Sequence, residues 1–404
     1  MRVRPGYKVT DIGEFPQDWE LVSLGKVAHF INGYPFSPSE WKSRGLPIIR
    51  IQNLNDPEAE FNYFDGNIED RYIVSDGDLL LSWSASLGVY VWRGGKAVLN
   101  QHIFKVVPEG FVDKSYLYFA AQRSIQDLRK RVHGSTMRHF KKQELDSTLV
   151  PVPPIQEQQK IASVLSTADD AIQKTDEIIA KAQQLKKGLM QQLLAKGIGH
   201  TKFKQTEIGE IPEECECRKV GEVCEVIMGQ SPPGNSYNDI GVGLPLLNGP
   251  TEFGETTPIP VQWTSQPTKT CCSNDVLLCV RGNTTGRINT ADREYCIGRG
   301  VAAIRAKSGK TDSRFIKYVF QRLEPRILQV AFGAGSTFPN INRDETSSLP
   351  IPVPPLAEQL KISEIVSGVD EKTARERTRR QHLSRLKNGL MQVLLTGKVR
   401  VKVD

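Results

Sequence analysis

From Ile155 to about Lys196, apolar side chains recur at Ile161, Leu165, Ala168, Ile172, Ile179, Leu189 and Leu193, with Thr175, Ala182 and Lys186 at the intervening places. The steps alternate between four and three, the seven-residue repeat of a coiled-coil seam. A second stretch keeps this register through Ile362, Val366, Val369, Leu383, Leu390 and Leu394, although Glu376 and Arg380 make its middle polar. Neither stretch contains an internal proline, and each follows a Pro-Pro pair that suits a sharp helix start. Some forty residues rising ~1.5 Å each make a helix about 60 Å long. Helices this polar are marginal alone in water, so the two seams are predicted to pair with each other.

The segments ahead of these helices have a different pattern. Short β-branched and aromatic runs, Leu46–Ile51, Asp78–Trp83 and Val89–Trp92, are bounded by Gly, Pro and Asn and read as strands. Leu244–Leu247 and Asp275–Val280 read likewise, and both segments turn helical, near Lys114–Val132 and Ser313–Val330. Each is an α+β unit with most strands first. Trp83 and Trp92 are more economically placed in a core than on a ligand.

The chain also repeats itself. Pro153-Pro154-Ile155-Gln156-Glu157-Gln158 returns as Pro354-Pro355-Leu356-Ala357-Glu358-Gln359, and Gly188-Leu189-Met190-Gln191 as Gly389-Leu390-Met391-Gln392. Ile12-Gly13-Glu14-Phe15-Pro16 returns as Ile208-Gly209-Glu210-Ile211-Pro212. A period near 200 residues is duplication of a whole domain with its helix, far beyond a solenoid repeat. The division follows as two variable segments, 1–152 and 200–352, each leading into a repeated helix, 153–199 and 353–404. A duplicated frame around diverged segments suits a protein that binds two things of one class.

Composition narrows the class. No run approaches a membrane span, and the start lacks the apolar stretch of a signal peptide, so a cytoplasmic location is expected. The formal net charge of +7 is compatible with a nucleic-acid partner. All seven cysteines lie in the second copy, so the repeated fold depends on neither disulfide nor zinc.

Fragments resembling catalytic motifs fail in detail. Ser308-Gly309-Lys310-Thr311 would complete a phosphate-binding loop, but Ile304 stands where the motif needs glycine. Ser231-Pro232-Pro233-Gly234 lacks the aromatic ring that an amino-methyltransferase stacks on its target base. Ala331-Phe332-Gly333-Ala334-Gly335 follows no convincing strand, and the six histidines form no ligand or triad spacing. No catalytic centre and no metal site are expected.

Polar loops offer better candidates. Arg50, Gln52 and Asn53 follow a strand, while Arg138, Lys141 and Lys142 follow Gly134-Ser135-Thr136. Arg281, Thr284, Thr285 and Arg287 surround two glycines, and Asn340, Asn342 and Arg343 follow Gly335-Ser336-Thr337. Arg matches guanine and Asn or Gln matches adenine in the major groove, while Ser, Thr and Lys hold phosphates. Gly-Ser-Thr is the one piece of these loops present in both copies.

Taken together, the two Pro-Pro-x-x-Glu-Gln motifs, the two Gly-Leu-Met-Gln motifs, the Ile-Gly-x-x-Pro openings and Leu394-Leu395-Thr396-Gly397-Lys398-Val399-Arg400 resemble the specificity subunit of type I restriction–modification systems along the whole chain. The resemblance implies two target-recognition domains, each reading half of a gapped double-stranded DNA target, and two helices pairing antiparallel to set the gap. It implies a non-catalytic chain that binds no cofactor. Two modification subunits carrying S-adenosylmethionine would dock mainly on the helices, and restriction subunits using ATP and magnesium would join them. Gln156, Glu157, Gln158, Glu358 and Gln359 map onto the family's helix starts, whereas no base-reading residue transfers. Two departures stand out: Trp19 gives way to Cys215, and Asn100-Gln101-His102 corresponds to Ile297-Gly298-Arg299, so different half-sites are expected. The alternatives are a fused or stand-alone DNA adenine methyltransferase component, which would bind S-adenosylmethionine itself, and a coiled-coil scaffold without DNA, whose behaviour would be insensitive to salt.

Overall fold

The computed structural model describes residues 4–402 except 11, 57, 85–86, 132–145 and 334–337. Both long helices form, Ile155–Lys196 and Leu356–Leu394. The chain packs as two compact units, 1–176 with 378–404 and 177–377, so that each unit holds one half of each helix.

In the first unit, the strand run that reads as continuously apolar lies in one of two four-stranded sheets and packs toward both. Leu79–Ser82 lies between Gly88–Val91 and Ile103–Pro108 in an antiparallel sheet that ends on Ala28–Asn32. Successive side chains of a strand point to opposite faces. Leu79 and Leu81 therefore join a core with Phe104, Val106, Tyr116 and Phe119, while Leu80 joins Ile49, Val74, Ala97 and Leu99 beneath the second sheet. In that sheet Leu46–Ile49 runs parallel to Ala97–Leu99. The strand stops at Ile49, and Ile51–Asn55 is a short helix, so the predicted strand over Leu46–Ile51 is two elements.

The larger core is completed by helix residues. Ile161 and Leu165 enter it from the first long helix, Met391 and Leu394 from the second, and Leu395 from just past its end. The two helix halves run antiparallel, with ion pairs Asp169–Lys387 (2.6 Å) and Asp176–Arg380 seven residues apart on each. Lys387 also lies over the Phe119 ring.

The second unit repeats the scheme. Val276–Cys279 splits its side chains between a core of Val276 and Leu278 and one of Leu277 and Cys279, and Leu244–Leu247 runs parallel to Tyr295–Ile297. Leu193, Leu194, Ile362 and Val366 supply the helix side of the core. Here the ion pair is Lys186–Asp370 (2.7 Å), with Lys186 over the Tyr318 ring.

The repeated Glu-Gln has a structural explanation in each unit. Gln158 Oε1 accepts from Asp113 N (2.8 Å), and its amide donates to Phe111 O and Pro153 O, tying the long helix to the start of helix Lys114–Arg131. Gln359 does the same with Asp312 N, Lys310 O and Pro354 O before helix Ser313–Phe332. Glu157 is 1% exposed, held by Trp19 Nε1 (3.0 Å) and by the Arg400 guanidinium, which forks to Asp18 as well. In the second unit Cys215 replaces the indole, and Glu358 is held by His200 Nε2, 3.0 Å from both its oxygens, and by Ile198 N. A buried carboxylate needs such partners.

Candidate nucleic-acid interface

In the second unit, two candidate groups over fifty residues apart in sequence meet at one end of the sheets. The loop after strand Val276–Cys279 and the segment after helix Ser313–Phe332 are joined by an antiparallel bridge between Arg281 and Asn340. Gly282 N donates to Pro339 O (2.9 Å) and Ile341 N to Val280 O (3.0 Å), so the junction is held by backbone on both sides. Arg281, Thr284, Arg287, Asn340, Asn342 and Arg343 are exposed around it. With Phe338 also 64% exposed, the surface joins three arginines, polar side chains and one ring. Such a mixture suits phosphate and base contacts together.

Two predicted contacts are corrected by their surroundings. Thr285 is 2% exposed, and its hydroxyl donates to Gly282 O (2.7 Å) and Pro339 O (3.3 Å); it shapes the loop from inside. Asn53 is likewise buried, accepting from Arg50 N and donating to Ala59 O and Glu60 O, so every polar atom of its side chain is taken up by the short helix and the segment after it. Asn342 Oδ1 accepts from Glu345 N and caps helix Arg343–Ser348. Arg50 is half-buried, with its guanidinium over the Trp41 ring and donating to Asn62 Oδ1, while Gln52 is exposed. Gly134, Ser135, Thr136, Arg138, Lys141 and Lys142, and Gly335, Ser336 and Thr337, lie outside the described residues. Trp92 packs in the core with Nε1 donating to Gly95 O, and Trp83 stacks on Phe104.

Of the seam positions, Ile161, Leu165, Ala168, Leu193, Ile362, Val366 and Leu394 are buried, and Ile172, Ile179, Leu189, Val369, Leu383 and Leu390 are half-buried. Arg380, at the polar middle of the second helix, is exposed and pairs with Asp176.

Backbone hydrogen bonds set the correspondence between the two units residue by residue. Asn100 N donates to Ile49 O as Gly298 N does to Leu247 O, and Ile103 N donates to Asn100 O as Val301 N does to Gly298 O. Asn100-Gln101-His102 therefore matches Gly298-Arg299-Gly300, one residue on from the predicted alignment. Gly33 and Gly229 occupy matching places where the chain crosses this turn. A Cβ at Gly33 would run into the carbonyls of Leu99 and Asn100, and one at Gly229 into those of Ile297 and Gly298. Gln101 and Arg299 thus sit at one structural position, which the one-residue slip concealed in the sequence.

Two copies of one α+β unit, each completed by halves of two long helices and presenting different side chains at matching turns, define a duplicated recognition protein. The chain belongs to the family of the type I restriction modification DNA specificity domain, whose family model matches residues 16–184 and 212–385. A Methanocaldococcus jannaschii protein with a provisional name as the MjaX type I restriction enzyme specificity subunit is 32% identical, covering 98% of this chain and 97% of its own length. The MjaVIII specificity subunit of the same organism is 27% identical over 96% and 94%. The crystal structure of a type I S subunit from M. genitalium shares the fold, with a TM-score of 0.63 at 14% identity over 98% of each chain.

Proposed function

We propose that this chain is the DNA specificity subunit of a type I restriction–modification assembly. Each unit reads one half of a gapped double-stranded target, with residues 1–152 and 200–352 as the recognition segments and the long helices, 153–199 and 353–404, as spacer and docking surface. The observation that carries this reading is the duplicated unit whose matching turn bears different side chains, as two different half-sites require. Phosphate contacts orient the duplex, and base-edge contacts discriminate by about 1–3 kcal/mol for each good bidentate pair. Reading two half-sites with one chain makes the second contact effectively intramolecular, which multiplies specificity.

The chain performs no chemistry in this reading. Two modification subunits bring S-adenosylmethionine, flip the target adenine from the stack and methylate it; restriction subunits add cleavage driven by ATP with magnesium. The test is single-molecule sequencing of methylated DNA from cells that express the chain with its modification subunit. A bipartite adenine-methylated motif is the expected outcome. Methylation at a continuous motif, or none above the level of the modification subunit alone, would overturn the reading.

A further inference from the structure

Resting on that reading, we propose that the turn shared by Gln101 and Arg299 is a base-reading position in both units. Arg299 donates to O6 and N7 of a guanine in the half-site of the second unit, and Gln101 pairs with N6 and N7 of an adenine in that of the first.

Arg299 is exposed, and its guanidinium makes no hydrogen bond or ion pair among the described residues. The turn beneath it is held fast. Gly298 and Gly300 flank it, and a Cβ on either would collide with Asn248. Ile297 and Val301, the next residues on each side, are fully buried. Gly300 O accepts from Val280 N (3.0 Å), which sets the turn directly beside the Arg281 loop and its bridge to Asn340. A planar five-donor fork on a closely packed turn suits bidentate recognition, where geometry must be kept; a phosphate asks only for positive charge nearby.

Gln101 stands on the matching turn of the first unit. Its backbone N donates to Tyr34 O (3.0 Å), and His102 O accepts from Trp83 N, as Gly300 O does from Val280 N. Among the described residues its side-chain Oε1 is buried without a hydrogen-bond partner. An unmet buried acceptor is costly, and turning the amide towards a base edge relieves it. Arg for guanine and Gln for adenine are the pairings that major-groove geometry favours.

The experiment uses the assembly of this chain with its modification subunits and reads the methylated motif. Arg299→Gln should replace or relax one G·C pair in the second half-site, with discrimination at that pair falling about 5- to 150-fold. The first half-site should be unchanged, which also reports that the variant is folded. Gln101→Arg should shift one A·T pair of the first half-site towards G·C and leave the second alone. A wild-type second half-site made only of A·T pairs overturns the proposal at once. So does an Arg299→Gln variant that lowers methylation evenly with both half-sites intact, the result of a phosphate contact. If that variant methylates nothing, sequences bound from a pool randomised in the second half-site decide it: enrichment of adenine supports the proposal, and retained guanine overturns it. Absence of any bipartite motif with the wild-type chain is instead a failure of the specificity reading itself.

Discussion

Asp18 and Glu157 share one guanidinium, that of Arg400, and this trio closes the first unit over the start of its long helix. The hydrogen bonds from Arg400 hold the Asp18 carboxyl below its ordinary range. A carboxyl with a depressed folded pKa contributes stability above its unfolded value, near 4, and loses it as pH falls through the folded value. Thermal melting from pH 6 to 2 should therefore show a steeper acid loss for the wild type than for Asp18→Asn. Because Asp18 is half-exposed, the difference should stay under about 1 kcal/mol. The second unit answers the same need with His200 in place of Arg400 and Cys215 in place of Trp19. Burial pushes the Cys215 thiol up to about 11 and those of Cys224 and Cys271 to about 12, whereas Cys272 is exposed. Maleimide labelling at pH 8 followed by mass spectrometry should find Cys272 modified first and those three protected until the unit unfolds. The repetition of Glu157 as Glu358 was legible in the sequence; their partners, which lie far along the chain, were not.

At the scale of elements, the long helices were the most legible part. A heptad seam states its own periodicity, and Leu165 lies at 0% exposure in the core it forms with Phe119 and Leu394. Leu165→Ala should cost about 2–5 kcal/mol, read as a lowered denaturation midpoint with the slope unchanged. The half-buried ion pairs Asp169–Lys387 and Lys186–Asp370 contribute less individually, on the order of 1 kcal/mol, and they favour one antiparallel register over its neighbours. Strands were legible wherever turn residues bounded an apolar run. Leu46–Ile51 reads as one strand because Ile51 continues the apolar pattern, whereas Asn53 Oδ1 accepts from Arg50 N and closes the first turn of a helix there. Periodicity over six residues cannot separate those two outcomes.

At the scale of the whole molecule, the duplication assigns roles. What repeats is the helix start with its Glu and Gln, and what diverges is the polar turn that carries Gln101 in one unit and Arg299 in the other. If the helices set the gap, lengthening both by one turn should change the spacing between half-sites in the methylated motif while both half-sites stay the same. Altered half-sites with an unaltered gap would contradict this division of labour. The sequence by itself determined the duplication, the heptad helices, the α+β character and the family, because each is written in local spacing or in exact repetition of short motifs. Only the tertiary structure decided which of the candidate polar residues are exposed. Thr285 and Asn53 look like readers in the chain and are buried by their own hydrogen bonds, while Arg299 and Gln101 become a matched pair only when strand pairing sets the register. Availability depends on contacts between segments distant in sequence, and no local pattern carries that information.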